Sequence, residues 1–161
     1  MDFANLRVGW QGAEKLHLTL KFLGDVEDEK ISAVIDKVKQ AAGQFEKGSL
    51  VVTGTGVFPN KRRAKVLWLG VKNRDGLLEK AKDKIEFEFN ELGFEKERRT
   101  FKPHLTIARL REPNKSKQLA EQHLENDFEP VESSIEALTV YESELKPTGS
   151  IYNVLAKIEF I

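Results

Sequence analysis

Two tetrapeptides in this chain nearly repeat one another, His17-Leu18-Thr19-Leu20 and His104-Leu105-Thr106-Ile107, 87 residues apart. Each alternates polar with apolar, so each reads as a strand that shows an imidazole and a hydroxyl on one face and a Leu on the other. Only three His are present, and two of three being followed by apolar-Thr-apolar is a coincidence of order ~10⁻⁴ in a chain of this composition. Each copy thus offers an imidazole beside a hydroxyl at the head of a strand, and the two copies make a matched pair.

The rest of the pattern supplies the elements around them. Leu16 to Leu23 reads as a strand with Leu16, Leu18, Leu20 and Phe22 inward and His17, Thr19 and Lys21 outward, ended by Gly24. Ile31, Val34, Ile35, Val38 and Ala42 recur at helical spacing behind an acidic first turn and ahead of Gly43. Leu50 to Phe58 and Lys65 to Val71 are strand-rich and should pair antiparallel across Pro59 to Arg63. Leu77, Leu78, Ala81, Ile85, Phe89 and Leu92 form a second helical stripe stopped by Gly93, and His104 to Leu110 follows as a strand. Pro113 opens a short polar helix, and Ile135 to Tyr141 and Tyr152 to Phe160 close a hairpin through Lys146-Pro147-Thr148-Gly149. The order is that of an α+β fold with largely antiparallel sheet, and the lack of any linker makes residues 1–161 one domain.

Composition narrows the chemistry. The chain has no Cys, which removes thiolate nucleophiles, disulfides and cysteine metal sites together. Its 26 Lys+Arg balance 26 Asp+Glu, so contact with nucleic acid must be local rather than general. No stretch has the length of a membrane span and no targeting peptide is visible, which makes the expected location cytoplasmic. His-x-x-x-His, His-Glu-x-x-His, a phosphate-cradling Gly-rich loop and a Gly-x-Ser-x-Gly elbow are all missing from the sequence, so neither a metal nor a cofactor is expected. Two imidazoles across a cleft suit an in-line displacement in which one removes a proton and the other supplies one, with the hydroxyls beside them suited to a phosphate.

At the residues just described the chain resembles the bacterial and archaeal RNA 2',3'-cyclic phosphodiesterases, also called 2'-5' RNA ligases, of the two-histidine phosphoesterase superfamily. The resembling stretches are Leu16 to Gly24, Gly56-Val57-Phe58-Pro59 with Val66 to Val71, Phe101 to Arg109, and Leu145 to Tyr152. The resemblance implies two pseudo-symmetric lobes of largely antiparallel sheet with outer helices, flanking a central groove. It implies hydrolysis of RNA 2',3'-cyclic phosphate ends to 2'-phosphates, with reversible 2'-5' joining at the same site. Carried over by motif, His17 is the proton donor to the departing 3' oxygen, His104 the proton acceptor from water, and Thr19 and Thr106 the phosphate-binding hydroxyls. Partners would be RNA ends or nucleoside 2',3'-cyclic phosphates. The family usually places an apolar strand and helix ahead of the segment that here runs Arg7 to Trp10, and their absence from the first lobe implies an open edge beside the His17 strand. That edge would be closed by Phe3 to Val8 in a monomer or by association with another chain. The alternatives are a non-catalytic protein that binds RNA ends and a related phosphodiesterase acting on another cyclic nucleotide.

Phe58, Arg109 and Tyr152 are candidate substrate contacts; Trp10, Phe58, Trp68 and Tyr152 could each stack a base, core packing being the commoner role for any one of them and Phe58, beside its loop, the best candidate for stacking. Simple alternation puts Arg109 on the face opposite His104, which counts against direct phosphate contact. Basic clusters at Lys61 to Lys65, Lys96 to Arg99 and Arg109 to Arg111 could attract an anionic end. His123 lacks the Thr partner and reads as a solvated residue of a charged helix.

Overall fold

A computed structural model describes residues 5–147 and 149–161. The two long helical stripes form α1 (Asp28–Ala42) and α2 (Leu77–Glu91). α1 enters behind Glu27 with Asp28 and Glu29 in its first turn, where carboxylates oppose the positive end of the helix, and ends on Gly43. α2 ends in a Schellman arrangement. Gly93 takes φ +87°, its N–H bonds Asn90 O and the Phe94 N–H bonds Phe89 O, both at 3.0 Å. The Phe94 ring then rests 5.8 Å from that of Phe89.

Five strands make one antiparallel sheet in the order β1-β4-β3-β2-β5: β1 (Val8–Trp10), β2 (Gly48–Phe58), β3 (Val66–Lys72), β4 (His104–Leu110) and β5 (Val131–Ile135). β6 (Ala137–Lys146) and β7 (Gly149–Glu159) pair as a separate hairpin. The turn's Thr148 lies outside the described residues, as does most of Phe3 to Val8's upstream half. The expected run from Ile135 to Tyr141 is therefore split at Glu136, where the chain leaves one sheet for the other, and the Phe160 N–H donates to Glu136 O across the junction at 2.7 Å. A short turn of 3₁₀ helix at Pro113–Lys115 leads into α3 (Lys117–Glu125). No helix among the described residues is long and apolar enough to cross a membrane.

Three apolar clusters join these layers. Val34 and Val38 of α1 and Ile85 and Phe89 of α2 pack with Leu138 of β6 and Phe160; burying each such side chain contributes about 1.5–3 kcal/mol. Leu67, Ala108 and Leu110 pack beneath Leu119 and Ala120 of α3, joined by Val8 of β1. Leu50, Val71 and Leu78 form the third, with Leu18 and Leu105 against it. The first strand and the last hairpin thus cross over: β1 completes the sheet that carries His104, while β6 and β7 cover the helix that follows His17.

One expected element differs. Leu16 to Leu23 is extended but forms no ladder among the described residues; its only bridge is Leu18 with Leu105, antiparallel. With no strand alongside, the segment is held by side chains, and its alternation breaks after Leu20. Leu20 and Leu23 reach the core, Lys21 turns inward with 6% of its side chain exposed, and Phe22 stands 80% exposed. Among the described residues the lobes are accordingly unequal, five strands against two.

Candidate active site

The bridge between Leu18 and Leu105 organises the site. Both Leu side chains point to the same core cluster, so the alternating neighbours face the opposite way. Because the bridge is antiparallel, His17 falls across from Thr106 and Thr19 across from His104. The repeated motif is related to its copy by an approximate twofold axis through the two leucines, and each imidazole is set beside the other copy's hydroxyl.

The two rings are fixed in the same way. His17 Nδ1 lies 2.8 Å from Lys15 O and His104 Nδ1 lies 2.6 Å from Lys102 O. A carbonyl can only accept, so each Nδ1 carries the proton and each neutral ring offers Nε2 as a base. Each ring also has an aromatic pair beside it. Tyr152 and Tyr141 lie 5.0 and 5.5 Å from His17, and Phe58 and Trp68 lie 5.0 and 5.8 Å from His104. Phe58 and Tyr152, both candidate substrate contacts, thus stand next to the histidines. Trp68 joins them rather than lying in the core, and Tyr141 is a member that sequence reasoning missed, although its proximity to Tyr152 in the closing hairpin was a signal for it.

Bulges bring these side chains to the cleft. In β4, Leu67 pairs with Ala108 but Trp68 pairs with Thr106, leaving Ile107 as an extra residue. Opposed residues share a face, so the bulge puts Thr106 with Trp68 and Ala108 with Leu67, and returns Arg109, opposite Val66, to the face of His104. The expectation from alternation is overturned: exposed Arg109 belongs to the groove face. In β7 the pairing moves from Val140 with Ala156 to Tyr141 with Val154, leaving Leu155 extra. That shift turns Tyr152 away from the core face of Ile158 and onto the face of Tyr141.

The wall beside His104 is closely fitted. A Cβ on Gly56 would sit 1.9 Å from Trp68 Cζ2, so only glycine lets the indole lie flat there. Trp68 Nε1 is buried without an acceptor among the described residues, an unmet donor worth about 1–3 kcal/mol. Behind this wall His123 is buried, 9% exposed, instead of solvated. Its Nε2 lies 3.1 Å from both Gly56 O and Trp68 O; both are acceptors, so Nε2 holds the proton and fastens β2 to β3 from the α3 side.

The charged residues fall into two groups. Glu86 is buried on α2, which would raise its carboxyl, but hydrogen bonds from Lys21, Lys82 and the Glu97 N–H outweigh burial and hold it below the usual carboxylate range. Glu97 is exposed and drawn down to about 2, chiefly by the Arg99 guanidinium. Of the basic clusters, Arg99 is therefore occupied by Glu97 at 2.6 Å, while Lys61, Arg62 and Arg63 are exposed on the loop after Phe58, shaped by Asn60 Oδ1 accepting from the Arg62 and Arg63 N–H groups.

Comparison with known proteins gives the family of the chain. The sequence profile of the 2'-5' RNA ligase superfamily matches residues 6–147. A Thermotoga maritima protein named RNA 2',3'-cyclic phosphodiesterase is 38% identical over 152 residues, covering 94% of this chain and 79% of the relative. One of the same name from Methanothermobacter thermautotrophicus is 35% identical over 152 residues, covering 92% and 80%. The crystal structure of TT0787 of Thermus thermophilus superposes with a TM-score of 0.76 at 27% identity, covering 95% of this chain and 82% of that one. The Escherichia coli LigT structure complexed with 3'-AMP shares the fold at a TM-score of 0.68 and 24% identity, covering 94% and 80%. With a profile match across most of its length and relatives this similar, the chain belongs to the 2'-5' RNA ligase superfamily.

Proposed function

We propose that this chain hydrolyses RNA 2',3'-cyclic phosphate ends and leaves a 2'-phosphate. The observation that carries the reading is the antiparallel Leu18–Leu105 bridge, which sets two equally oriented imidazoles and two hydroxyls on one face. In the proposed step water attacks phosphorus while the bond from phosphorus to the 3' oxygen breaks. His104 Nε2 takes the proton from water, and a protonated His17 gives its Nε2 proton to the departing 3' oxygen, so the two rings exchange protonation states and reset through solvent. Thr19 and Thr106 hold the non-bridging oxygens as charge develops on them. Arg109, on the same face, adds a positive charge for the phosphate or its neighbour, and Phe58 and Tyr152 border the nucleoside. With a 5'-hydroxyl in place of water, the same groups would open the cyclic phosphate to a 2'-5' linkage, His104 taking the hydroxyl proton and His17 again protonating the departing 3' oxygen; the reverse of that joining cleaves the 2'-5' bond. Partners are RNA ends or nucleoside 2',3'-cyclic phosphates, taken by a monomer. The names of the relatives support the substrate class.

The test is hydrolysis of a nucleoside 2',3'-cyclic phosphate in EDTA, with the product isomer identified. A 2'-phosphate is expected, with a bell-shaped dependence of rate on pH, because one ring must be charged and the other neutral. His17→Ala and His104→Ala should each lose about 10²- to 10⁴-fold while remaining folded. Full activity in either folded variant would sink the mechanism. Binding of cyclic-phosphate ends without turnover would favour the reading as an RNA-end binding protein, for which the weakly paired His17 segment is the supporting feature.

A further inference from the structure

Among the described residues the His17 segment forms no ladder beyond its single bridge, so side-chain contacts must help fix where it lies along its own axis. Leu18, Leu20 and Leu23 supply apolar contact, but such contact is non-directional and resists sliding poorly. A strand that slips by one residue turns every side chain to the other face. The directional contact comes from Lys21, four residues past His17, whose Nζ donates to Glu86 Oε2 and to Glu95 O, each at 2.7 Å.

Glu86 also reaches the second motif. Its Oε2 accepts from the Glu97 N–H at 3.3 Å and its Oε1 accepts from Lys82 Nζ at 2.9 Å. Lys82 Nζ in turn stands 5.9 Å from the ring centroid of Phe101, three residues ahead of His104. One carboxylate thereby ties the segment leaving His17 to the segment approaching His104. The side chains of Lys21, Lys82 and Glu86 are 6%, 10% and 10% exposed. A buried ionic cluster of this kind is a poor source of net stability, and its best-attested use is to fix register. We infer that Glu86 is a positioning residue that sets the mutual placement of His17 and His104, an inference resting on the catalytic reading of those two rings. Glu88 offers a control on the same helix: it too accepts from two lysines, Lys37 and Lys84, but ties α1 to α2 and touches neither motif.

The experiment compares Glu86→Gln, Lys21→Met and Glu88→Gln at a temperature where all are folded. Glu86→Gln and Lys21→Met should each lower kcat about 10- to 100-fold, as small misplacements do, with KM changed less than about threefold. The double variant should be no worse than the poorer single one, and Glu88→Gln should leave kcat within about twofold. Long-range proton–nitrogen NMR spectra of the imidazoles should shift for both His17 and His104 in Glu86→Gln and for neither in Glu88→Gln. The spectra need no turnover, so they test the positioning role even if cyclic phosphates prove not to be substrates. Unchanged kcat and unchanged ring spectra in a folded Glu86→Gln would overturn the inference, as would equal losses in Glu86→Gln and Glu88→Gln.

Discussion

At the residue scale the geometry separates the work of imidazole from that of hydroxyl. The carbonyls of Lys15 and Lys102 hold the Nδ1 protons, so in the proposed cycle proton transfer falls to Nε2 on both rings, while Thr19 and Thr106 have no proton to move. Replacing either Thr by Val should therefore lower kcat/KM by about 10²- to 10³-fold where its hydroxyl meets the developing charge, and leave both limbs of the pH profile where they were. Steady-state rates across pH in the two variants check this; a displaced limb would mean that a hydroxyl shares in proton transfer. The histidines and threonines were legible because all four lie within an uninterrupted alternation. The face on which Arg109 stands was not, since the extra residue at Ile107 is set by pairing with β3, and a bulge leaves no mark in the bulged strand's own sequence. His123 was misread for a related reason: its acceptors are backbone carbonyls of two other strands, invisible to any side-chain pattern.

Among the elements, α2 carries the most consequential charges. Glu88 is 5% exposed and is held below the usual carboxylate range by hydrogen bonds from Lys37 and then Lys84, against the opposing effect of burial. A carboxyl lowered on folding adds stability that is fully present above its unfolded value of about 4.3 and disappears as pH falls through the lower folded value. Glu88→Gln should therefore melt below wild type at pH 7 and converge with it towards pH 3, measured as Tm by circular dichroism. A gap that persists unchanged at pH 3 would show that the loss is one of shape rather than charge. The helices themselves were readable from apolar spacing and end signals, Gly93 above all. The Leu16–Leu23 strand was over-read because alternation reports amphipathicity, whereas a ladder needs a neighbour, and Lys21 was assigned outward because its partner lies 65 residues away.

For the molecule as a whole, β1 lies in the His104 sheet and β6 and β7 lie over α1, so each lobe depends on chain from the far end of the sequence. Unfolding should then be a single transition, yet protection should be uneven within it. Amide hydrogen exchange should be faster over His17 to Leu23, with its single bridge, than over His104 to Leu110, whose β4 is paired on both sides by β1 and β3. Equal protection would mean that the first lobe is closed by contacts outside those described here. The overall α+β order was legible from the alternation of helical and strand periods, while the split at Glu136 was not, because the residues on either side of it are equally strand-like. The hairpin's position over α1 also bears on how the chain comes off the ribosome. The faces of Val34 and Val38 are made hundreds of atoms before Leu138 and Phe160 exist to cover them, whereas β2, β3 and β4 can pair as soon as they emerge. During synthesis the half that carries His104 can assemble first, and the half that carries His17 waits, its α1 half covered by α2 alone, for the closing strands to arrive.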